Sequence, residues 1–188
     1  MFLPLPLETP RLVLRPFEER DLRHFVAYRS DPAVARYQGW DAPYRLEQAT
    51  AFLREMRRTR PEESGSWYQV AIESKALGHL IGDRAFRVPA DDGRQAEIGF
   101  TLARTAQGQG YASEAVTALL DDLFGTLGLH RVYAVCDVEN AASARLLERV
   151  GMRREGHFVE SVWFKGRWAS EYWYAILRAE WAARRARA

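Results

Sequence analysis

Hydrophobic positions along this chain switch between a period of two and a helical period. Arg11 to Phe17 sets Leu12 and Leu14 against Arg11 and Arg15, which predicts a strand. Pro16 marks its end or an edge position. Glu18 to Arg29 carries Leu22, Phe25 and Val26 at helical spacing and stops at Asp31-Pro32. Leu46 to Arg60 reads as a second helix, with Leu46, Ala49, Phe52, Leu53 and Met56 on one stripe and Pro61 at its end. Trp67 to Glu73 and Gly78 to Val88 read as strands joined by a hairpin turn at Ser74 to Leu77. After a turn at Asp91-Asp92-Gly93, Ala96 to Leu102 reads as a strand. It puts Ile98, Phe100 and Leu102 on one face and Glu97, Gly99 and Thr101 on the other.

The clearest helix is Gly110 to Leu127, with Ala112, Val116, Leu119, Leu120, Leu123 and Leu127 as its buried stripe and Gly128 as C-cap. Val132 to Val138 is apolar almost throughout, as in a strand covered on both faces. Ala141 to Val150 is a short helix ending at Gly151. A hairpin closes the pattern, Phe158 to Phe164 and Trp168 to Leu177, turned at Lys165-Gly166. The order implies a mixed α/β fold. Its sheet is mostly antiparallel, with about six or seven strands, about four helices and one parallel strand–helix–strand crossover of right hand.

Composition narrows the function. At 188 residues the chain is one domain's length, read as 1–188. Its single cysteine, Cys136, excludes an intrachain disulfide and a multi-cysteine metal site. His24, His79, His130 and His157 are scattered, none at metal spacing, so no metal is expected. A net charge of +2 is too balanced for a sequence-blind nucleic-acid binder. No apolar run reaches the roughly 18 residues of a membrane span. Met1 to Pro10 lacks the basic and apolar regions of a signal peptide, which leads to an expected cytoplasmic location. The tail residues Arg184, Arg185 and Arg187 read as a solvated end.

The informative stretch runs from Ala96 to Ala115. A strand enters the loop Gln107-Gly108-Gln109-Gly110, and the loop opens the best helix. A helix start leaves about four N–H groups without intrahelical partners. Gly108 and Gly110 offer no side chain to take them and allow close backbone approach, so the loop could hold a phosphate group. It could equally be a plain turn. The dinucleotide fingerprint fails: position 113 is Ser where a third glycine belongs, and no acidic residue closes the next strand about 20 residues on. That argues against a dinucleotide-dependent oxidoreductase. GK[ST], HExxH and GxSxG are absent.

The run Gln107-x-x-Gly110-x-Ala112 resembles the acetyl-CoA pyrophosphate loop of the GCN5-related N-acetyltransferases, the GNAT superfamily. Leu7-Glu8-Thr9-Pro10-Arg11-Leu12, Glu97-Ile98-Gly99-Phe100, Asn140-x-x-Ser143-x-x-x-Leu147 and Val150-Gly151-Met152 resemble its RimJ/RimL-type branch, which acetylates N-terminal amines of ribosomal proteins. The resemblance covers about Leu7 to Leu177. It implies a GNAT-like sheet and acetyl-CoA as co-substrate. It also implies pairing of the pantetheine arm with Phe100, Thr101 and Leu102, and a pyrophosphate site at Gln107, Gly108, Gln109, Gly110, Tyr111 and Ala112. The thioester would lie where the strand ending at Cys136 splays from the one ending at Leu102.

An amine acceptor must lose a proton before attack, since its pKa is about 8 for an α-amine and about 10.4 for lysine. The resemblance and its strand face nominate Glu97 as the base; a solvated strand carboxylate is the alternative. Ser143 matches the branch's position for a hydroxyl that protonates the departing thiolate, or is an ordinary first-turn residue. The Tyr many relatives use there is replaced by Leu147. Asn140 could cap its helix and touch the cofactor arm at once. A backbone N–H from a bulged strand near Phe100 or Thr101 would stabilise the developing oxyanion. Trp40, Trp67, Trp163 and Trp168 could line an acceptor pocket; Tyr37 and Trp40 are chosen because the loop between the first two helices shapes that site in relatives.

These readings give an acetyl-CoA-dependent N-acetyltransferase acting directly on a primary amine, a protein N-terminus or a small molecule. A non-catalytic acyl-CoA-binding or regulatory module is the alternative. Cys136, in a strand read as buried, is a poor nucleophile. The aromatic C-terminal hairpin could support a homodimer.

Overall fold

The computed structural model describes residues 5–61 and 65–187; Met1 to Pro4, part of the stretch read for a signal peptide, lie outside it. One mixed sheet organises the chain in the order β1-β2-β3-β4-β5-β6-β8-β7. Its strands are β1 (Leu7–Glu8), β2 (Leu12–Arg15), β3 (Tyr68–Ser74), β4 (His79–Arg87), β5 (Gln95–Leu102), β6 (Arg131–Asp137), β7 (Arg153–Phe164) and β8 (Arg167–Leu177). Among the described residues only β5 and β6 pair in parallel. The crossover between them carries α4 (Tyr111–Asp121), as the hydrophobic pattern implies.

The described residues hold eight strands and six α-helices, more than the sequence reading counted. The two-residue β1 is too short to show a period. Asp31-Pro32, read as a stop, caps and starts α2 (Pro32–Ala35): Asp31 Oδ1 accepts from Ala33 N–H and Pro32 takes the first helical position. The basic tail forms α6 (Arg178–Arg185), because Trp181 anchors it, 5% exposed, and donates to Asp121 at 3.0 Å. The remaining helices are α1 (Leu22–Arg29), α3 (Leu46–Met56) and α5 (Ala141–Arg149). A 3-10 turn over Glu19–Asp21 leads into α1.

Packing forms two layers around the sheet. Val116, Leu119, Leu120 and Leu123 pack with Ile98, Val132, Leu147 and Ile176 on one face. Phe25, Tyr28, Ala49 and Leu53 pack on Ala71 and Leu80 on the other. β6 departs from expectation. Val132 and Ala134 are buried, but Tyr133, Val135 and Cys136 are half-buried; Tyr133 stacks on Trp173, and Val135 and Cys136 lie at the end of the strand that lines a cleft.

Arg84 is fully buried beneath α4 and donates to Asp122 Oδ2 at 3.1 Å. Asp122 opens a π-helical turn, Asp122–Thr126, that continues α4. Burial lowers the Arg84 pKa and raises that of Asp122, while each charge holds the other ionised. Arg84 Nε and Nη1 have no partner among the described residues, so the pair is held by one contact. Removing Asp122 would leave a charge uncompensated in the core. Asp122→Ala should lower unfolding free energy by about 3 kcal/mol in urea titrations, and Arg84→Met with Asp122→Leu should recover most of it.

Candidate active site

β5 and β6 are in register only at Gln95–Arg131, Ala96–Val132 and Glu97–Tyr133. β5 runs on to Leu102 and β6 to Asp137, so the strands part immediately beyond Glu97. On its other side β5 stays on β4 through Leu102. The Ala103 N–H bond to Ile81 O, 2.8 Å, sets the phase of that ladder. Alternation then turns the backbone groups of Thr101 toward Asp83, and those of Phe100 and Leu102 toward the open gap. Thr101 therefore lacks the free backbone groups that the resemblance gave it. Leu102 O accepts Gln107 Nε2 at 3.0 Å, which ties the following loop to the strand end.

Two clefts meet in the gap. One, of about 360 Å³, is walled by Glu97, Gly99, Val135, Cys136 and Glu171. The other, of about 440 Å³, is walled by Leu102, Gly108, Gly110, Ala112, Arg145 and Arg149. Tyr37, Gln38, Phe100, Asn140 and Ser143 line both.

Gly110 is the N-cap residue of α4, at φ +83°, and no side chain caps this end. Gly108, at φ +75°, shares the left-handed conformation that glycine adopts without strain. Among the described residues, no acceptor takes the amides of Gly108, Gln109, Gly110, Tyr111 or Ala112. The loop is held from outside. Arg11 Nη1 donates to Gln109 O at 2.8 Å, and its guanidinium lies 4.7 Å from the Tyr111 ring centre. Glu114 accepts from Thr9 Oγ1 at 2.6 Å and from Arg11 Nε at 2.6 Å. Burial would raise the Glu114 pKa, but these hydrogen bonds hold it below its ordinary value. The Thr9-Pro10-Arg11 motif thus buttresses the loop, a role its sequence does not disclose.

Glu97 carries an ion pair with Arg87, which lies across the ladder on β4. Ser143 stands where the clefts join. Its N–H donates to Asn140 Oδ1 at 3.2 Å, so Asn140 caps α5 while its own flank lines both clefts. Cys136, read as buried, is half-buried on the cleft wall, and burial with the nearby acidic groups pushes its pKa up to about 11. Asp137 is paired with Arg167 at 3.0 Å. Glu171, also on the wall, has no ion-pair partner among the described residues; Ser161 Oγ lies 3.3 Å from it.

The aromatic expectations divide. Tyr37 lines both clefts and donates to Glu139 O at 3.2 Å. Trp40 lines neither; its ring covers Arg29, whose guanidinium carbon is 4.0 Å from the ring centre. Trp67 lines the first cleft. Trp163 and Trp168 pack edge to face on the outer hairpin. The expected bulge in β5 is absent: β4 and β5 pair without a shift, and register shifts fall instead between β3 and β4 at Ile72/Glu73 and between β7 and β8. Arg145 and Arg149 are missed by motif reading, since helical spacing alone does not show that they face α4.

Comparison with known proteins places these features in a family. Residues 11–153 match the acetyltransferase (GNAT) domain model. The uncharacterized N-acetyltransferase YnaD of Bacillus subtilis is 34% identical over 177 residues, covering 93% of this chain and 98% of YnaD. A GNAT-family acetyltransferase from Bacillus anthracis superposes with a TM-score of 0.80 at 31% identity, over 92% of this chain and 98% of that one. The spermidine N-acetyltransferase of Vibrio cholerae, solved with CoA and spermine, gives 0.77 at 26% identity, over 93% and 99%. With an unpaired strand edge and a bare helix start at one cleft, and this likeness along nearly its whole length, the chain belongs to the GNAT family and is an acetyltransferase.

Proposed function

We propose that the chain transfers an acetyl group from acetyl-CoA directly to a primary amine, and that the acceptor is a small cationic amine. The row of unpaired amides from Gly108 to Ala112 carries the co-substrate half of this reading. It joins a helix start, with its partial positive charge, to Arg145 and Arg149, and so suits a diphosphate. The pantetheine arm would hydrogen-bond along Phe100 and Leu102 in the manner of an added strand. Gln107 would hold the loop in place, and Asn140 would guide the arm toward the gap.

The acceptor half rests on charge. Glu97, Asp137 and Glu171 line the first cleft, and Glu171 lacks a cationic partner among the described residues. The likeness to a protein solved with spermine supports a polyamine-like acceptor. The RimJ/RimL-type motifs favour a protein N-terminus as the second reading.

In the reaction Glu97 takes a proton from the ammonium, directly or through water. The amine nitrogen bonds to the acetyl carbon, the carbon–sulfur bond breaks, and the sulfur leaves as thiolate. As the amide forms, the nitrogen gives up its second proton to Ser143 Oγ while the Ser143 hydroxyl proton passes to the thiolate, whose pKa is near 8.5, or both transfers run through solvent. An open-edge N–H, that of Phe100 or Leu102, would stabilise the oxyanion. The wall thiol of Cys136 stays protonated at neutral pH and forms no acyl intermediate.

The direct test mixes protein, acetyl-CoA and a panel of amines and titrates released thiol. Diamines and polyamines should release it fastest; binding of acetyl-CoA without release from any amine would overturn the reading. Glu97→Gln should lower the rate chiefly at low pH, where the free amine is scarce, and converge on the wild type as pH rises. A pH–rate profile of unchanged shape would remove Glu97 from the role. Cys136→Ala should retain turnover within about twofold, and complete loss in a folded variant would exclude direct transfer.

A further inference from the structure

The segment from Asp31 to Asp41 crosses the mouth of the gap. On the β5 side Asp31 pairs with Arg104 at 3.0 Å. On the β6 side Arg36 Nη2 reaches Glu139 Oε2 at 2.8 Å, and the Tyr37 hydroxyl reaches Glu139 O. Beyond the Arg36 tie, Tyr37, Gln38 and Gly39 form part of the wall of the first cleft.

A third tie comes from the opposite end of the chain. Lys165, at the tip of the β7–β8 hairpin, donates from Nζ to Ala35 O at 2.8 Å and to Trp40 O at 2.5 Å. Asp41 Oδ1 lies 3.2 Å away. An ammonium has three protons, and here three oxygens of one segment surround it. Two of them, at Ala35 and Trp40, bracket the residues that line the cleft. The two bonds tie both ends of that arc to one atom.

The backbone at this tip is unusual for its residue. Lys165 has φ +48° and Gly166 φ +82°, a two-residue turn of a kind that favours asparagine or glycine in its first position. A lysine there is strained, and such strain persists where the surroundings fix it.

We propose that Lys165 is a positioning residue for the acceptor: by clasping Ala35 and Trp40 it holds Tyr37, Gln38 and Gly39 in the shape that receives the amine. This rests on the amine-acetylation reading above. Lys165 itself lines neither cleft, so it acts through the segment. The amides of the α4 start belong to another element, held by Arg11, and are independent of this clasp.

Lys165→Met keeps the apolar stem and removes the ammonium; Lys165→Arg keeps charge and donors. With the amine that the wild type acetylates fastest, Lys165→Met should raise acceptor KM about fivefold to tenfold, the equivalent of one lost charge-assisted contact. The kcat at saturating acceptor and the acetyl-CoA dissociation constant should stay within about twofold, and Lys165→Arg should recover part of the affinity. Amide hydrogen exchange should quicken at residues 36–40. An unchanged acceptor KM in Lys165→Met would overturn the proposal, and so would parallel losses in kcat and acetyl-CoA affinity, which would mark a general fold defect. Wild-type protein that releases no thiol with any amine would instead overturn the acetylation reading and this proposal together.

Discussion

Parallel strands ordinarily stay paired because each unpaired backbone group that is buried costs free energy comparable to a lost hydrogen bond. Here β5 and β6 separate after one short stretch of register, in the middle of the sheet. The separation leaves the outward N–H and C=O of Phe100 and the N–H of Leu102 without a strand to reach, while Gln107 takes the Leu102 carbonyl. Such an edge is stable only if something polar lines it, and the gap it opens is where both clefts meet. The half-buried end of β6, the wall position of Cys136 and the double lining by Ser143 and Asn140 all follow from that parting.

The helix start at Gly110 poses the same problem in another form. Its amides are unpartnered, and the residue that could cap them has no side chain. The loop is kept rigid from behind, by Arg11 on Gln109 O and by Glu114 on the Thr9–Arg11 backbone and side chains. A glycine-rich loop that was free to relax would fold its amides onto its own carbonyls. The buttress holds them outward and fixes the distance between the strand edge and the helix.

What the hydrophobic pattern made legible was the part of the molecule governed by period: the hairpins, the stripe of α4 and the crossover between β5 and β6. The glycine loop was legible because a bare helix start is a local feature of spacing. Other features depend on where the chain goes in space. The role of Arg11 needs Glu114 and Gln109, about a hundred residues away, to be brought beside it. Trp40 reads as an acceptor-pocket aromatic, yet it is half-buried over Arg29, because a guanidinium stacked among Phe25, Trp40, Tyr44 and Phe52 draws the indole inward. Short elements such as β1 and α2 carry too few residues for any period, and α6 looks like a charged tail until Trp181 finds the core.

Two consecutive residues of β4 tie these features to one frame. Asp83 faces α1, where Tyr28 donates a short hydrogen bond to it and Arg29 stands 3.8 Å away. Burial raises the pKa of Asp83 and that of Tyr28, while Arg29 favours the ionised carboxylate. Arg84 faces the opposite layer and holds Asp122 at the end of α4. Buried pairs of this kind are a poor source of net stability, because desolvation cancels much of the attraction. Their geometric demand is strict, however, since a shift of about an ångström strands a charge in the core. Asp83 lies opposite Thr101 and Arg84 opposite Phe100, on the reach of β5 that borders the gap. One dipeptide therefore registers both helical layers against the same short length of strand. α1 leads into the segment that walls the first cleft, and α4 begins at the bare amides. The separation between that segment and the glycine loop is thus set by two charged residues on opposite faces of a single strand.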